Sequence, residues 1–586
     1  MKKILNSIFL NRFLLHIPFV VLFVMAVTLY QERLFADSGY YIFRVINESS
    51  FWIEHDRLVL AFSQILPLCA LWLNAGLKTI LITYSIGHIL YFYLLFFVAL
   101  FLLKDNWAAL GIILIQVLGI IFTFFTPQFE LYYGAGLLIL FYSFLTKKVI
   151  HKWNIILLVI LEVLILTSHP MNFMLLLFVL CFDFVTNDNK YQKHYTFLLL
   201  ILLAGVIFKF LTFSEYEHSK IFFHLNFTKN RQYLNLLDMA YLVELIRFLV
   251  SYYIDVVVLL IINILFYIKV REYGKLILLF AFSMGYIVLI NITYDAVEPG
   301  RYIEQLYFPL VVIVIFPFLY DVFRRMSHKL LPAILLTVIV IYRLFLIIDH
   351  SIPFQQRALQ ITRLTAHCQQ LDGSKFMFKE KNIRRPYSML NWSYPIETIL
   401  LSAQEGKEKA VTLINEKDFR YCSDNKLLTK KDFIFRSKEI YPDSTLNASY
   451  FNLAPAVYRP LNQDSMIPDT LDDFIKNIEI EIKVRTFYDA NQQIFIPVTI
   501  TNNNAGPLFS SLANKIYISY HWYGIGYMYE WDGIRTPLEV DIIRSYSQDI
   551  MVKTPEVKGD YWLSVDIISE EKSWFGIEEK REVSIK

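Results

Sequence analysis

Four cysteines in 586 residues are too few for a disulfide-stapled scaffold or a Cys-based zinc ribbon. Glycine is scarce, with 19 residues against 50 Phe and 38 Tyr, which excludes collagen-like and flexible low-complexity architectures. Charge is thin as well. Asp, Glu, Lys and Arg together make 18% of the chain, where a soluble domain carries roughly a quarter. The formal net charge of +3 gives no clustered basic face for nucleic acid. The motifs Gly-x-x-x-x-Gly-Lys-[Ser/Thr], His-Glu-x-x-His and Gly-x-Ser-x-Gly are also missing, so ATP-driven transport, zinc proteolysis and α/β-hydrolase chemistry find no support. What the chain does carry is apolar surface, 56% hydrophobic residues at a mean hydropathy of +0.45. It reads as a polytopic α-helical membrane protein.

A helix that crosses a bilayer needs roughly 20 apolar residues, because its backbone polar groups must be satisfied internally. About eleven stretches qualify: 13–30, 79–103, 108–125, 131–146, 155–167, 171–185, 195–213, 248–268, 276–292, 303–320 and 330–348. Lysine and arginine fix the orientation. Lys2, Lys3 and Arg12 precede the first stretch, and alternate short loops carry Lys104; Lys147, Lys148 and Lys152; Lys190 and Lys193; Lys269, Arg271 and Lys275; Arg324, Arg325 and Lys329. All fall on one side, the cytoplasm, if the number of spans is odd. The first stretch has no small-residue cleavage site after it and reads as a retained anchor. The chain is expected in a bacterial inner membrane, with a cytoplasmic N-terminus and everything after Ile348 outside.

Three regions follow: a membrane domain over 1–350, an extracytoplasmic mixed α/β region over 351–475, and a β-sandwich over 476–586. In the middle region 374–378 and 410–414 read as strands and 395–403 as a helix. From Ile478 onward the residues alternate with period two, Ile478-Glu479-Ile480-Glu481-Ile482, and further strand signals are divided by turn residues. That spacing reads as a sandwich of immunoglobulin-like type. Trp522, Tyr529, Trp531 and Trp574 could stack on sugar faces or serve as core and turn packing. Cys368 and Cys422 both lie in the exported part, where a disulfide is possible.

Ionisable residues beside a membrane cost free energy, so each invites a functional hypothesis. Asp37 follows the first stretch and opens an amphipathic segment, 40–52, suited to an interfacial helix. It can act as a base towards an acceptor hydroxyl or simply cap a helix. Arg57, in His55-Asp56-Arg57, fits a phosphate or an acidic partner; Glu48 and Glu54 are further acids on that loop. Glu130 could orient a sugar hydroxyl or replace Asp37 as base, and His169 could donate to a phosphate or sugar. Lys220 belongs to the mixed-charge run 214–220, readable also as a solvated loop. Arg301, beside Glu298-Pro299-Gly300, could neutralise a leaving phosphate or anchor the helix by snorkelling; Asp295 and Glu304 lie near it in sequence.

The layout resembles the GT-C superfamily of integral-membrane glycosyltransferases: a first span, a long external loop that opens with an acid and an interfacial helix, about ten more spans and an exported C-terminal domain. The resemblance covers the first 350 residues and is one of topology. It implies a sugar taken from a polyprenyl-phosphate carrier, transferred with inversion to a glycan, lipid or protein acceptor, with Asp37 as base. Many members pair that acid with a neighbouring acid, whereas Ser38 stands here. This counts against metal use and leaves divalent-metal dependence and subfamily open; no metal-ligand set is assigned. Small β-sandwich modules resembling 520–575 are appended to bacterial glycan-building enzymes. The rival readings are a membrane O-acyltransferase or glycan ligase using His169 or His88, and a non-enzymatic polysaccharide export or assembly protein.

Overall fold

The structure, a computed structural model, describes residues 14–146, 152–186, 192–212, 239–293, 301–371, 373–378, 391–425, 428–436, 439–461, 477–503, 508, 510, 516–524, 527–542, 544–569 and 573–586. It forms two compact units: Met1–Phe354 with Thr445–Tyr450, and Gln355–Ser444 with Phe451–Lys586.

The first unit is helical. Every apolar stretch read from the sequence lies on a helix: Ile17–Thr28, Leu77–Phe97, Asn106–Leu118, Glu130–Leu145, Lys152–Ser168, Asn172–Thr186, Gln192–Leu211, Met239–Val270, Tyr273–Thr293, Arg301–Pro317 and Leu330–Asp349. Five runs among the described residues are long and apolar enough to cross a membrane, namely Leu77–Leu102, Ile246–Val270, Tyr273–Ile290, Glu304–Arg325 and Leu330–Cys368; the other apolar helices are shorter. By length and composition this is a unit built for a bilayer.

Two details differ from the sequence reading. The helix expected over 108–125 stops at Leu118. Beyond it the Glu304 carboxylate accepts from the backbone of Ile121, from Thr123 N at 2.6 Å and from the Thr123 hydroxyl, so a turn replaces the last helical bonds. Glu304 is thereby committed to holding backbone, not to the patch around Arg301. The long loop after the first span also holds a second helix, Leu60–Trp72, apolar but only 13 residues long, with Pro67 inside it.

Polar side chains brace the bundle from within. Arg343 grips Asp255 through two bonds of 2.6 and 2.5 Å, just beyond the kink at Tyr253. Lys275 meets Asp321 and Glu272, both at 2.7 Å, and Arg325 meets Glu272 at 2.7 Å. The buried charges of Arg343, Asp255, Lys275 and Asp321 are tolerated because they are paired, whereas Arg325 and Glu272 are each about a third exposed. Residues 445–450 are pinned onto the unit. The Asn447 amide donates to Ile46 O at 2.8 Å, the Asn47 amide donates to Thr445 O at 2.8 Å, and the Tyr450 hydroxyl donates to Ala75 O at 3.2 Å.

The second unit begins with an α/β layer. Strand β1 (Lys375–Phe378) pairs in parallel with β2 (Thr412–Asn415) on one side and β5 (Arg459–Pro460) on the other, and β3 (Asp432–Arg436) pairs antiparallel with β4 (Glu439–Pro442). Helix Tyr394–Ser402 is almost wholly buried, and its Glu397 accepts a two-pronged bond from Arg357 at 3.1 and 3.0 Å. Cys368 and Cys422 are both buried and form no disulfide.

A two-sheet β sandwich follows. One sheet has the order β12 (Ser545–Lys553), β8 (Gln493–Asn502), β6 (Ile478–Ile482). The other runs β10 (Tyr527–Glu530), β9 (Ile516–Gly524), β13 (Gly559–Ser569), β15 (Glu579–Ile585), β7 (Phe487–Tyr488), with β11 (Thr536–Pro537) on β9 and β14 (Ser573–Trp574) on β13. The alternation acts as expected: Ile478, Ile480 and Ile482 face inward, and Glu479 and Glu481 face water. They join Ile496, Val498, Ile518, Tyr520, Trp522, Leu563 and Val565 in one core.

Candidate functional site

The helix Asp37–Glu48 carries the site's first element. Its sequence puts Tyr40, Tyr41, Val45 and Ile46 on a buried face, and an acid in the first turn suits the positive end of the helix dipole. Immediately before it, buried Ala36 holds φ 54° and ψ −118°, a region that glycine adopts easily and alanine does not. Backbone strain of this kind persists only where surrounding structure enforces it. Here it aims the start of the helix and half-buried Asp37.

The loop then returns. Glu54 accepts from the Tyr40 hydroxyl at 2.6 Å, the Trp52 indole at 3.2 Å and the Tyr41 hydroxyl at 3.4 Å. Gln64 clamps the backbone of Trp52 with two bonds of 2.8 Å. Two consecutive left-handed residues, His55 (φ 55°) and Asp56 (φ 58°), reverse the chain so that Arg57 reaches Glu130 at 3.0 Å. Glu130 is the first residue of its helix and 6% exposed. Strained backbone therefore precedes both Asp37 and Arg57.

Tyr41 sits at the centre. Burial first, then the carboxylates of Glu130 and Glu54 and, more weakly, Asp37 push its hydroxyl well above the usual tyrosine range, with Arg57 opposing. His169, in the turn after Lys152–Ser168, accepts from Met171 N at Nδ1, 3.1 Å away. Its proton therefore resides on Nε2. Burial, and then the nearby cations Arg57 and Lys209, hold this imidazole well below its usual 6.5, so it is a neutral donor. Lys209 donates to His55 O at 3.3 Å. Four residues singled out from the sequence, Asp37, Arg57, Glu130 and His169, thus belong to one electrostatic cluster. Glu48 does not join them; it is exposed and meets Arg44 at 3.7 Å.

Beneath this cluster lies a buried polar layer. Tyr84 donates to Gln128 at 3.0 Å, His88 is bonded to the Tyr133 hydroxyl, and Tyr91 donates to Tyr133 O at 2.9 Å. Arg33, 1% exposed, donates to Ser85 Oγ at 2.8 Å, Ser85 O at 3.2 Å and Phe124 O at 2.5 Å, and lies 4.1 Å over the Phe124 ring. Burial brings it down to about 9, still charged at neutral pH. It ties the turn ahead of Asp37 to helix Leu77–Phe97 and to the 122–125 turn.

Arg301 opens its helix, but its side chain, like all of Glu298 and Lys220, lies outside the described residues. In the sandwich, Trp522 is fully buried in the core and donates to Lys553 O at 2.9 Å, so it cannot touch a glycan; Trp531 is 41% exposed. Tyr40, Tyr41, Lys209 and Arg33 were not singled out from the sequence, whereas Glu54 was, as a further acid on the loop. Lys209, a lone charge in an apolar stretch, and Arg33, just after one, carried a readable signal. No protein-family model, no curated protein and no solved structure matches this chain.

Proposed function

We propose that the chain is a polytopic membrane glycosyltransferase, similar in layout to the GT-C superfamily, that moves a sugar from a polyprenyl-phosphate carrier to a glycan, lipid or protein acceptor on the extracytoplasmic face of a bacterial inner membrane. The observation that carries this reading is that Glu130, Glu54, Arg57 and, more weakly, Asp37 all act on buried Tyr41, while Arg57 pairs with Glu130 at 3.0 Å and also acts on His169. The acceptor hydroxyl attacks the anomeric carbon, and Asp37 takes its proton. The bond from that carbon to the phosphate oxygen breaks, its electron pair leaves with the phosphate, and the carbon inverts. Arg57, released in part from Glu130, Lys209 and the Nε2–H of His169 stabilise the departing charge. Asp37 and Glu54 form the acidic side of the cluster, and Arg57, Lys209 and His169 the donor side.

Acyl transfer through a histidine base has less support. His88 is 3% exposed and engaged with Tyr133. His169 has its Nδ1 lone pair occupied by Met171 N, which leaves a donor rather than a base.

The test uses the purified full chain, a long-chain polyprenyl phosphate as binding probe, and a radiolabelled lipid-linked sugar pool as donor. Asp37→Asn should bind the probe as the wild type does and lose transfer. Arg57→Ala should bind it about tenfold more weakly. Transfer retained by Asp37→Asn would remove Asp37 as the base, and unaltered binding by Arg57→Ala would remove the phosphate assignment.

A further inference from the structure

On β9 the even positions Ile518, Tyr520 and Trp522 enter the core, so His521 and Tyr523 face outward, opposite Ser564 and Trp562 of β13. His521 is nevertheless fully buried, because two tryptophans cover it. Trp531 stacks on it at 4.1 Å and 20°, Trp574 packs at 4.3 Å, and the two indoles lie 5.9 Å apart. The loop that brings Trp531 in lies tight on β9: Gly533 N donates to Tyr520 O at 3.1 Å, and a Cβ on Gly533 would come within 2.6 Å of that oxygen. His521 Nδ1 bonds to Trp531 O, so Nδ1 carries the proton and Nε2 is left as an acceptor. Nε2 is buried and has no partner. The aromatic stripe continues outward through Tyr523, 6.3 Å from His521, to Trp562, 44% exposed. Polar groups flank it. Lys580 lies 4.5 Å over the Tyr523 ring, Arg535 lies 5.3 Å over Trp574, and Glu578 accepts from Ser564 at 3.0 Å.

We infer that this outer sheet face is a carbohydrate-binding site, in which the apolar faces of a linear glycan's pyranose rings stack on Trp531 and Trp562. Two exposed indoles on one sheet face, edged by the Lys580–Glu578 pair at 2.7 Å and the Arg535 guanidinium, match a ligand with C–H-rich faces and hydroxyl rims. The site belongs to the second unit alone and does not depend on the chemistry assigned to Asp37.

The full chain is placed in lipid nanodiscs, since sugar-headed detergents would compete, and titrated with linear oligomers of glucose and of N-acetylglucosamine, followed by indole fluorescence and calorimetry. At least one series should bind. Trp531→Ala and Trp562→Ala should each weaken it about tenfold, Trp531→Phe and Trp562→Phe should keep most of it, and Phe495→Ala, exposed on the other sheet, should not change it. Asp37→Asn should bind these oligomers normally, so failure of the transfer reading and failure of this one are distinguishable. The proposal is overturned if no oligomer binds, if the alanine variants bind as the wild type does, or if the patch instead joins two copies of the chain.

Discussion

The Arg57–Glu130 pair yields a quantitative expectation. Its side chains are 14% and 7% exposed and 3.0 Å apart, so solvent screens it far less than a surface pair. Removing one partner of a buried pair leaves an uncompensated charge and costs about 3–5 kcal/mol, whereas replacing both with neutral groups is often close to neutral. Arg57→Met, which abandons the better buried Glu130, should fall near the top of that range. Glu130→Gln should cost less, because Arg57 is the more exposed partner and can shift towards water. The double variant should recover most of the loss and give a coupling energy of about 2–3 kcal/mol. Denaturant unfolding of the four proteins in a common micelle measures the cycle. A coupling below about 0.5 kcal/mol, the behaviour of an exposed pair, would show that the two side chains are not held together, and the site geometry built on them would fall.

Three further outcomes follow from the same unit. Ala36→Gly should stabilise by about 1 kcal/mol by relieving its positive φ, seen as a raised unfolding midpoint; a loss of more than that amount would contradict the strained turn. At Gly134, an added Cβ would lie 2.0 Å from Asn172 Nδ2 and 2.2 Å from Ser168 Oγ, so Gly134→Ala should cost about 1–3 kcal/mol and disturb the turn that holds His169; a neutral midpoint would refute that packing. His169 is neutral when folded and titrates near 6.5 when unfolded. Its contribution is therefore complete above 6.5 and is lost on acidification, with a slope approaching about 1.4 kcal/mol per pH unit. His169→Asn should flatten the stability profile between about pH 7 and pH 5; an unchanged profile would mean that His169 titrates in the fold as it does in the unfolded chain.

The apolar helices were legible because a bilayer demands long runs that no soluble fold needs, and the sandwich because Ile478–Ile482 alternates without a break. The end of the helix at Leu118 was not legible, since the capping carboxylate, Glu304, comes from a distant helix. The helix Leu60–Trp72 is short and holds a proline, so it passed as loop. Asp37, Arg57, Glu130 and His169 could be singled out one by one as charges beside apolar runs. Their convergence depends on the backward turn at His55 and Asp56, which no local pattern announces in non-glycine residues. The inward position of Trp522 was available from parity, because it shares its face with Ile518 and Tyr520. The approach of Trp531 and Trp574 over His521 was not, because it joins two loops across a sheet.

The short segment Thr445–Tyr450 gives the chain an unusual wiring. The polypeptide passes from the first unit to the second at Phe354, back at Thr445 and out again after Tyr450, so three covalent passages link them. A protease that nicks only near residue 354 should leave both fragments associated, because the tether at Asn447 and Tyr450 still fastens the distal piece to the helical one. Release should require loss of that tether as well.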